Sequence, residues 1–309
     1  MERVYPPPFV AYLFIVLKIC IMIKQTKEEG DYLLDSSLIS TTLQELQPNK
    51  TIYNAKLIYC NDYIQLYNFD TYKSRNNLDL NNKNNNIVNI DTDNLKKIDT
   101  TETKTNEIEY KNVTRSKLQC QRLAKCNSSI WETFITLTFE ENITDIKFAN
   151  KEFNKFVSKI RRIYKDFKYI CVPEFQKRGA IHYHLLTNIS TENDKLIYKQ
   201  EDNKKFLHVK YWNNGFTKVD KIKNDIKKII GYISKYMTKD VDNRLFSKHR
   251  YFYSYNLNKP QISYLDLTNK KHCDFLLKIL KDKNLIYTNK YTNDFYEEEI
   301  IFNEYYKCQ

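Results

Sequence analysis

Glycine is scarce in this chain, and the scarcity limits what the chain can fold into. Of 309 residues only four are glycine: Gly30, Gly179, Gly215 and Gly231. A P-loop needs G-x-x-x-x-G-K-[ST], and a dinucleotide-binding turn needs G-x-G-x-x-G, because backbone cradles phosphate closely only where no Cβ intervenes. No two of the four glycines are five residues apart. Both loops are absent, so a P-loop NTPase and a helicase motor of that class are excluded.

Charge narrows the partner. The chain carries 50 Lys and Arg against 38 Asp and Glu, a formal +12. The excess is concentrated, since residues 151–260 hold 25 basic against 11 acidic side chains. A basic surface of this density suits a polyanion, either nucleic acid or an anionic membrane surface. The seven cysteines include no C-x-x-C pair. An odd, scattered set argues for a reducing compartment, and a cytoplasmic location is expected.

Several regions follow in order. Residues 1–50 form an N-terminal extension holding the apolar run Phe9 to Ile23, with Lys18 near its middle. A membrane span wants about 20 apolar residues. This run is shorter, so a packed helix or a dispensable extension is expected, with membrane association through 9–23 as the alternative. Residues 51–72 read as two short strands, around Lys56–Tyr59 and Tyr63–Tyr67, joined at Asn61-Asp62 and able to join a core sheet. Asparagine fills nine of the nineteen positions from Asn76 to Asn94. Residues 73–109 are therefore expected to be a flexible linker, too polar to offset its ordering entropy. An organised domain is expected over 110–260, with a C-terminal tail or small subdomain over 261–309.

Three elements of the organised domain carry chemistry. Phe134-Ile135-Thr136-Leu137-Thr138-Phe139 alternates apolar residues with threonine, the period of a half-buried strand. Tyr169 to Phe175 and Ala180 to Leu186 are apolar runs joined by Gln176-Lys177-Arg178-Gly179, a β-hairpin. His182 and His184 stand two apart on its second strand, so both imidazoles share a face. Glu174 lies across the hairpin, within reach of that face. Two imidazoles and a carboxylate suit a divalent ion and leave coordination positions open.

The third element is a helix expected from about Asp220 to Lys239. Ile222, Ile226, Ile229, Ile230 and Ile233 give it an apolar stripe. Tyr232 and Tyr236 stack four apart at the stripe's edge, beside Lys235 and Lys239. A cation near a phenol favours phenolate, and tyrosine serves as a covalent nucleophile. With 25 tyrosines in the chain, this spacing also suits simple core packing. Before the hairpin, Phe153, Phe156, Val157, Ile160, Tyr164 and Phe167 mark a helix with one buried face, the other carrying Lys155, Lys159, Arg162 and Lys165. A further strand is expected over Phe206–Trp212. The succession of strand, helix, hairpin, strand and helix predicts an α+β fold on an antiparallel sheet. His208, His249 and His272 have no partner at ligand spacing and are read as structural.

In this order and spacing the elements resemble the HUH endonucleases, the rolling-circle replication initiators of small phages and plasmids. The nearest branch is the replication-associated one that includes the filamentous-phage gene II type. Phe134–Phe139 resembles the first motif and His182-Tyr183-His184 the His-hydrophobic-His motif. Glu174 is similar to an acid that supplies a third metal ligand. Ile233-Ser234-Lys235-Tyr236-Met237-Thr238-Lys239 resembles the tyrosine motif, with Tyr232 as the second tyrosine of two-tyrosine members. The resemblance spans about 110–260.

The resemblance implies a central antiparallel sheet with flanking helices, and a flexible N-terminal region is expected ahead of it. It implies Mg²⁺ or Mn²⁺ on His182, His184 and Glu174, polarising the scissile phosphate of single-stranded or supercoiled origin DNA. Tyr236 would attack, leaving a 5′-phosphotyrosine and a free 3′-hydroxyl for a host polymerase. Tyr232 would serve the second transfer, and Lys239 and Lys235 would stabilise developing charge. Lys155, Lys159, Arg162, Lys177 and Arg178 would grip the DNA backbone, with Tyr211 and Trp212 stacking on bases. Unwinding would fall to a host helicase or to supercoiling. Two alternatives stay open: a transposase or relaxase with the same chemistry, and a non-catalytic basic DNA-binding protein.

Overall fold

The computed structural model describes residues 50–76, 102–176, 178–199, 206–222, 230, 231, 233, 235, 237, 250–293 and 298–307. The fold is α+β, with two antiparallel sheets. The chain divides into two compact units, Lys96–Lys259 and a second made of Met1–Leu95 with Pro260–Gln309. The apolar run Phe9–Ile23 and the asparagine tract beyond Asn76 lie outside the described residues. No helix among the described residues is long and apolar enough to cross a membrane.

In the second unit, β1 (Lys50–Cys60) and β2 (Tyr63–Asn76) form a hairpin closed by Asn61 and Asp62. Asn61 takes the left-handed conformation (φ 50°) that a two-residue hairpin turn favours. These strands do not join the sheet that carries the histidines. They pair instead with β10 (Gln261–Leu265) and β12 (Glu298–Lys307) in a five-stranded sheet completed by β11 (Lys283–Asn293). Helix α3 (Lys270–Leu280) packs Phe275, Leu276, Ile279 and Leu280 with Leu57, Leu66 and Leu265. Residues 261–307 are thus half of a small α+β unit and not a tail.

The first unit is built on a seven-stranded sheet. Its order is β6 (Ile197–Lys199), β7 (Leu207–Val209), β8 (Thr217–Lys221), β3 (Thr133–Thr138), β5 (Ile181–Thr187), β4 (Tyr169–Phe175) and β9 (Phe252–Tyr253). Two layers of helix cover its two faces. On one, α2 (Ile146–Ile163) is capped by the Asp145 carboxylate and buries Phe153, Phe156, Val157 and Ile160 against Leu137, Tyr183, Leu185 and Val219. On the other, α1 (Glu102–Cys126) and Ile230, Ile233 and Met237 pack on Phe134, Ile170, Val172 and Leu186. The linker expected through residue 109 therefore ends inside a helix. The helix expected from Asp220 begins later, because Thr217–Lys221 pairs with β3 as a strand.

The loop from Tyr211 to Phe216 is stitched to the end of β3. Glu140 N–H donates to Asn214 O (2.9 Å), Thr138 N–H to Phe216 O (2.8 Å), and the Trp212 indole N–H to Thr138 O (3.0 Å). Gly215 sits at φ +147°, and a Cβ there would lie 2.4 Å from Glu140 N and 2.5 Å from Thr138 O. Both obstacles are backbone and cannot swing aside. Gly231, by contrast, is helical and its Cβ would meet nothing within 4 Å. Gly215→Ala is expected to lower unfolding stability by more than about 2 kcal/mol, whereas Gly231→Ala is expected to raise it by roughly 0.5–1 kcal/mol. Urea unfolding of the two variants beside the parent checks the contrast.

Candidate active site

Strand register gathers the polar side chains. On β5, His182 and His184 share one face while Tyr183 points through the other. Cross-strand pairing sets Glu174 opposite His182, Thr138 opposite His182, and Thr136 opposite His184. All five side chains therefore lie on the face that carries α1 and the 230–237 segment. The apolar cover sits over Phe134, Ile170, Val172 and Leu186, and the polar group begins where that cover ends.

Each histidine is held by a neighbour. His184 Nε2 donates to Glu174 Oε2 at 2.7 Å, its Nδ1 lies 3.4 Å from Thr136 Oγ1, and its ring stacks on Phe134 at 5.9 Å. Because a carboxylate only accepts, the contact with Glu174 places the proton on Nε2. Gln176 Nε2 lies 3.4 Å from His182 Nδ1, and Gln176 Oε1 accepts from Arg178 Nε at 2.9 Å. An exposed arginine on the hairpin loop is thereby linked through Gln176 to a buried histidine. The left-handed Gly179 (φ 90°) closes that loop. Sequence pattern alone marks neither Thr136 nor Gln176 as a site residue, although the threonine alternation in β3 already places Thr136 on a definite face.

Tyr183, between the two histidines, anchors the strand from behind. Its hydroxyl donates to Asn150 Oδ1 at 2.6 Å and its ring stacks on Phe153 at 4.8 Å. Burial pushes its phenol far above the usual tyrosine range, so it stays protonated as a structural donor.

The expected metal ligands thus converge on one face, but not on one point. His182 and His184 ring centroids are 6.3 Å apart. Among the described residues no three His, Cys, Asp or Glu side chains are grouped to hold a metal ion. The donor chemistry itself, two imidazoles and a carboxylate, fits a divalent cation.

The other expected residues are dispersed. Lys155, Lys159 and Arg162 are exposed on the outer face of α2, across the sheet from the histidines. Lys155 pairs with Glu152 at 2.6 Å, and Lys159 Nζ sits 4.8 Å from the Tyr211 ring centroid. Trp212 is not a base-stacking platform. It is buried against Phe139 and Phe156, and its indole N–H is used by Thr138 O. Tyr211 packs partly against the same core on the α2 side. Lys235 is helical and exposed. Tyr232, Tyr236, Lys239 and Lys177 lie outside the described residues.

Comparison with known proteins covers the same stretch. Residues 132–241 match the family of replication-associated proteins of the ORF2 and gene II protein type. Among curated proteins, the phasyl DNA replicon protein arp of Escherichia coli is 30% identical over 128 residues, 36% of this chain and 44% of that protein. The chain therefore spans less than half the length of the curated relative it matches. No solved structure matches it.

The His184–Glu174 bond sets an expectation for stability. Glu174→Ala strands a buried imidazole donor and is expected to cost about 1–3 kcal/mol, while Glu174→Gln, whose amide oxygen still accepts, is expected to cost less than about 1 kcal/mol. Denaturant midpoints of the two variants measure the difference.

Proposed function

We propose that this chain is a replication initiator of the HUH endonuclease class, cutting and rejoining single-stranded origin DNA through a tyrosine. The observation that carries the reading is the shared face. Glu174, His182 and His184 lie on the side of the sheet against which Ile230, Ile233 and Met237 pack, and Tyr232 and Tyr236 fall within that stretch of sequence. The match of residues 132–241 to the replication-associated family supports it, because that span contains every one of these residues.

In the proposed reaction the Tyr236 phenol oxygen bonds to the scissile phosphorus as the bond from phosphorus to the 3′ oxygen breaks. The phenol gives up its proton and the departing oxygen gains one, leaving a 5′-phosphotyrosine and a 3′-hydroxyl that a host polymerase extends. One phosphodiester replaces another, so no nucleotide hydrolysis is needed, in keeping with a chain that lacks a P-loop. Lys239 and Lys235 stabilise charge developing on phosphate and phenol. Tyr232 performs the second transfer that closes a circle. Mg²⁺ or Mn²⁺ on His182, His184 and Glu174 supplies Lewis-acid polarisation of the phosphate when bound. Before an ion binds, Glu174 and Thr136 hold the His184 ring in place, and Gln176 does the same for His182. Lys177 and Arg178, on the hairpin loop beside the histidines, contact backbone phosphates flanking the cut, and Lys155, Lys159 and Arg162, on the opposite face of the sheet, grip DNA away from it. Unwinding falls to a host helicase or to supercoiling.

The test uses the full chain and a single-stranded copy of the replicon that encodes it, with Mg²⁺ or Mn²⁺. A protein–DNA adduct that survives denaturation is expected, with mass spectrometry placing the nucleotide on Tyr236. Tyr236→Phe is expected to abolish that adduct, and a His182→Ala, His184→Ala double variant to lose nicking. Adduct formation by a chain lacking both Tyr232 and Tyr236 would overturn the reading.

A further inference from the structure

Beyond the histidines, the same sheet face continues into a patch of exposed aromatic side chains. Thr136 pairs with Lys218, so Lys218 shares the face of His184. Alternation along β8 and β7 adds Phe216, Phe206 and His208, and pairing of His208 with Tyr198 extends the row to the edge strand β6. The rings touch one another. Phe216 lies 5.2 Å from His208 and 6.4 Å from Phe206, both edge-on, and Tyr198 lies 5.5 Å from His208. His208 is buried, wedged between Tyr198 and Phe216 and 3.3 Å from Thr217 Oγ1. Its neighbours are not buried: Tyr198 is 42% and Phe216 47% exposed.

Cations border the patch. Lys218 Nζ sits 5.6 Å from the Phe206 ring centroid and 2.8 Å from an Asp220 carboxylate oxygen. That ion pair is solvent-exposed, so a phosphate displaces it at little cost. With a strand spacing of about 4.8 Å, Lys218 stands about 10 Å and His208 about 14 Å from His184 across the sheet. Large rings held rigidly at a surface, beside a lysine and within the most basic third of the chain, are the ingredients of single-strand recognition. Bases stack on the rings and cations meet the backbone.

We propose that Tyr198, Phe206 and Phe216, with Lys218, form a stacking platform for unpaired bases of the DNA strand that the histidine face receives. The proposal rests on the reading of the chain as an enzyme acting on single-stranded DNA, and it names where that strand lies. His208 acts as a positioning residue, fixing the Tyr198 and Phe216 rings without touching DNA. The oligo(dT) strand is held by stacking and charge together, and a base-free deoxyribose-phosphate strand by charge alone.

The experiment measures binding of the full-length chain to fluorescein-labelled oligo(dT), and to the base-free strand, across a salt series. Tyr198→Ala and Phe216→Ala are each expected to weaken oligo(dT) binding by about tenfold or more, with base-free binding and salt slope unchanged. Phe216→Trp and Tyr198→Phe are expected to restore affinity. Lys218→Gln is expected to reduce the salt slope by about one on both strands. Equal losses on both strands would overturn the platform. So would unchanged oligo(dT) affinity in the alanine variants, or a shift in sedimentation showing that the patch joins two copies. Platform behaviour without any wild-type adduct would sink the nicking reading alone, and adduct formation with indifferent aromatic variants would sink the platform alone.

Discussion

The pairing of β4 with β5 is the constraint on which the rest of the first unit depends. A one-residue slip in that hairpin would turn His182 and His184 into the core and bring Tyr183 out. Three things pin the register. Gly179 closes the turn in the left-handed region, Gln176 N–H donates back to Ala180 O at 2.8 Å, and Tyr183 is bonded to Asn150 on α2. The ordered placement of Glu174 opposite His182 is therefore a consequence of backbone pairing and core packing. The polar residues themselves contribute little to choosing it.

This division of labour explains the two helical layers. The Tyr183 face is largely apolar, so α2 can lie across it and bury Phe153 and Val157. The histidine face changes character along the strands, from Ile170, Val172, Leu186 and Phe134 to Glu174, His182 and Thr138. Helical cover follows the apolar part, where Cys120, Leu123, Ile230 and Ile233 gather, and a half-buried margin remains beside it. A polar group left at such a margin keeps its hydrogen bonds without full desolvation. The basic stripe of α2 belongs to the opposite layer, so the chain's positive charge is presented on both sides of one sheet.

Local pattern makes much of this legible. The period-two runs of β3, β4 and β5 and the apolar stripe of α2 depend on nearest neighbours, and their positions read directly from residue type. The same logic puts Glu174 and both histidines on one face. What is hidden depends on distant partners. Strands β1 and β2 find β10 and β12 about two hundred residues away in sequence, and no short-range signal announces that pairing. Helix α1 merges with the polar linker in sequence because, among its described side chains, the apolar ones that face the core are few: Val113, Cys120, Leu123, Ala124 and Cys126. Trp212 reads as available because tryptophan suits base stacking, yet its indole closes the loop at Gly215. Asp220 and Lys221 read as the start of a helix because the isoleucine stripe begins at Ile222, one residue beyond the strand.

The hydrogen bond between His184 and Glu174 bears on how such a site can work. In the described state the carboxylate and the imidazole satisfy each other, with the His184 and Glu174 side chains 6% and 11% exposed. A cation taking both as ligands must replace the proton on Nε2, so it exchanges one neutralising partner for another and leaves no bare charge buried. On the proposed reading, pre-pairing keeps the residues on the correct face, at modest cost, for an ion to take them. An arrangement that instead held three donors around an empty centre would bury unsatisfied atoms and would tend to collapse. On the proposed reading, the separation of the two histidines and the bond to Glu174 describe a site organised by its own hydrogen bonds. The final convergence of donors is left to the ion and the DNA strand that bring it about.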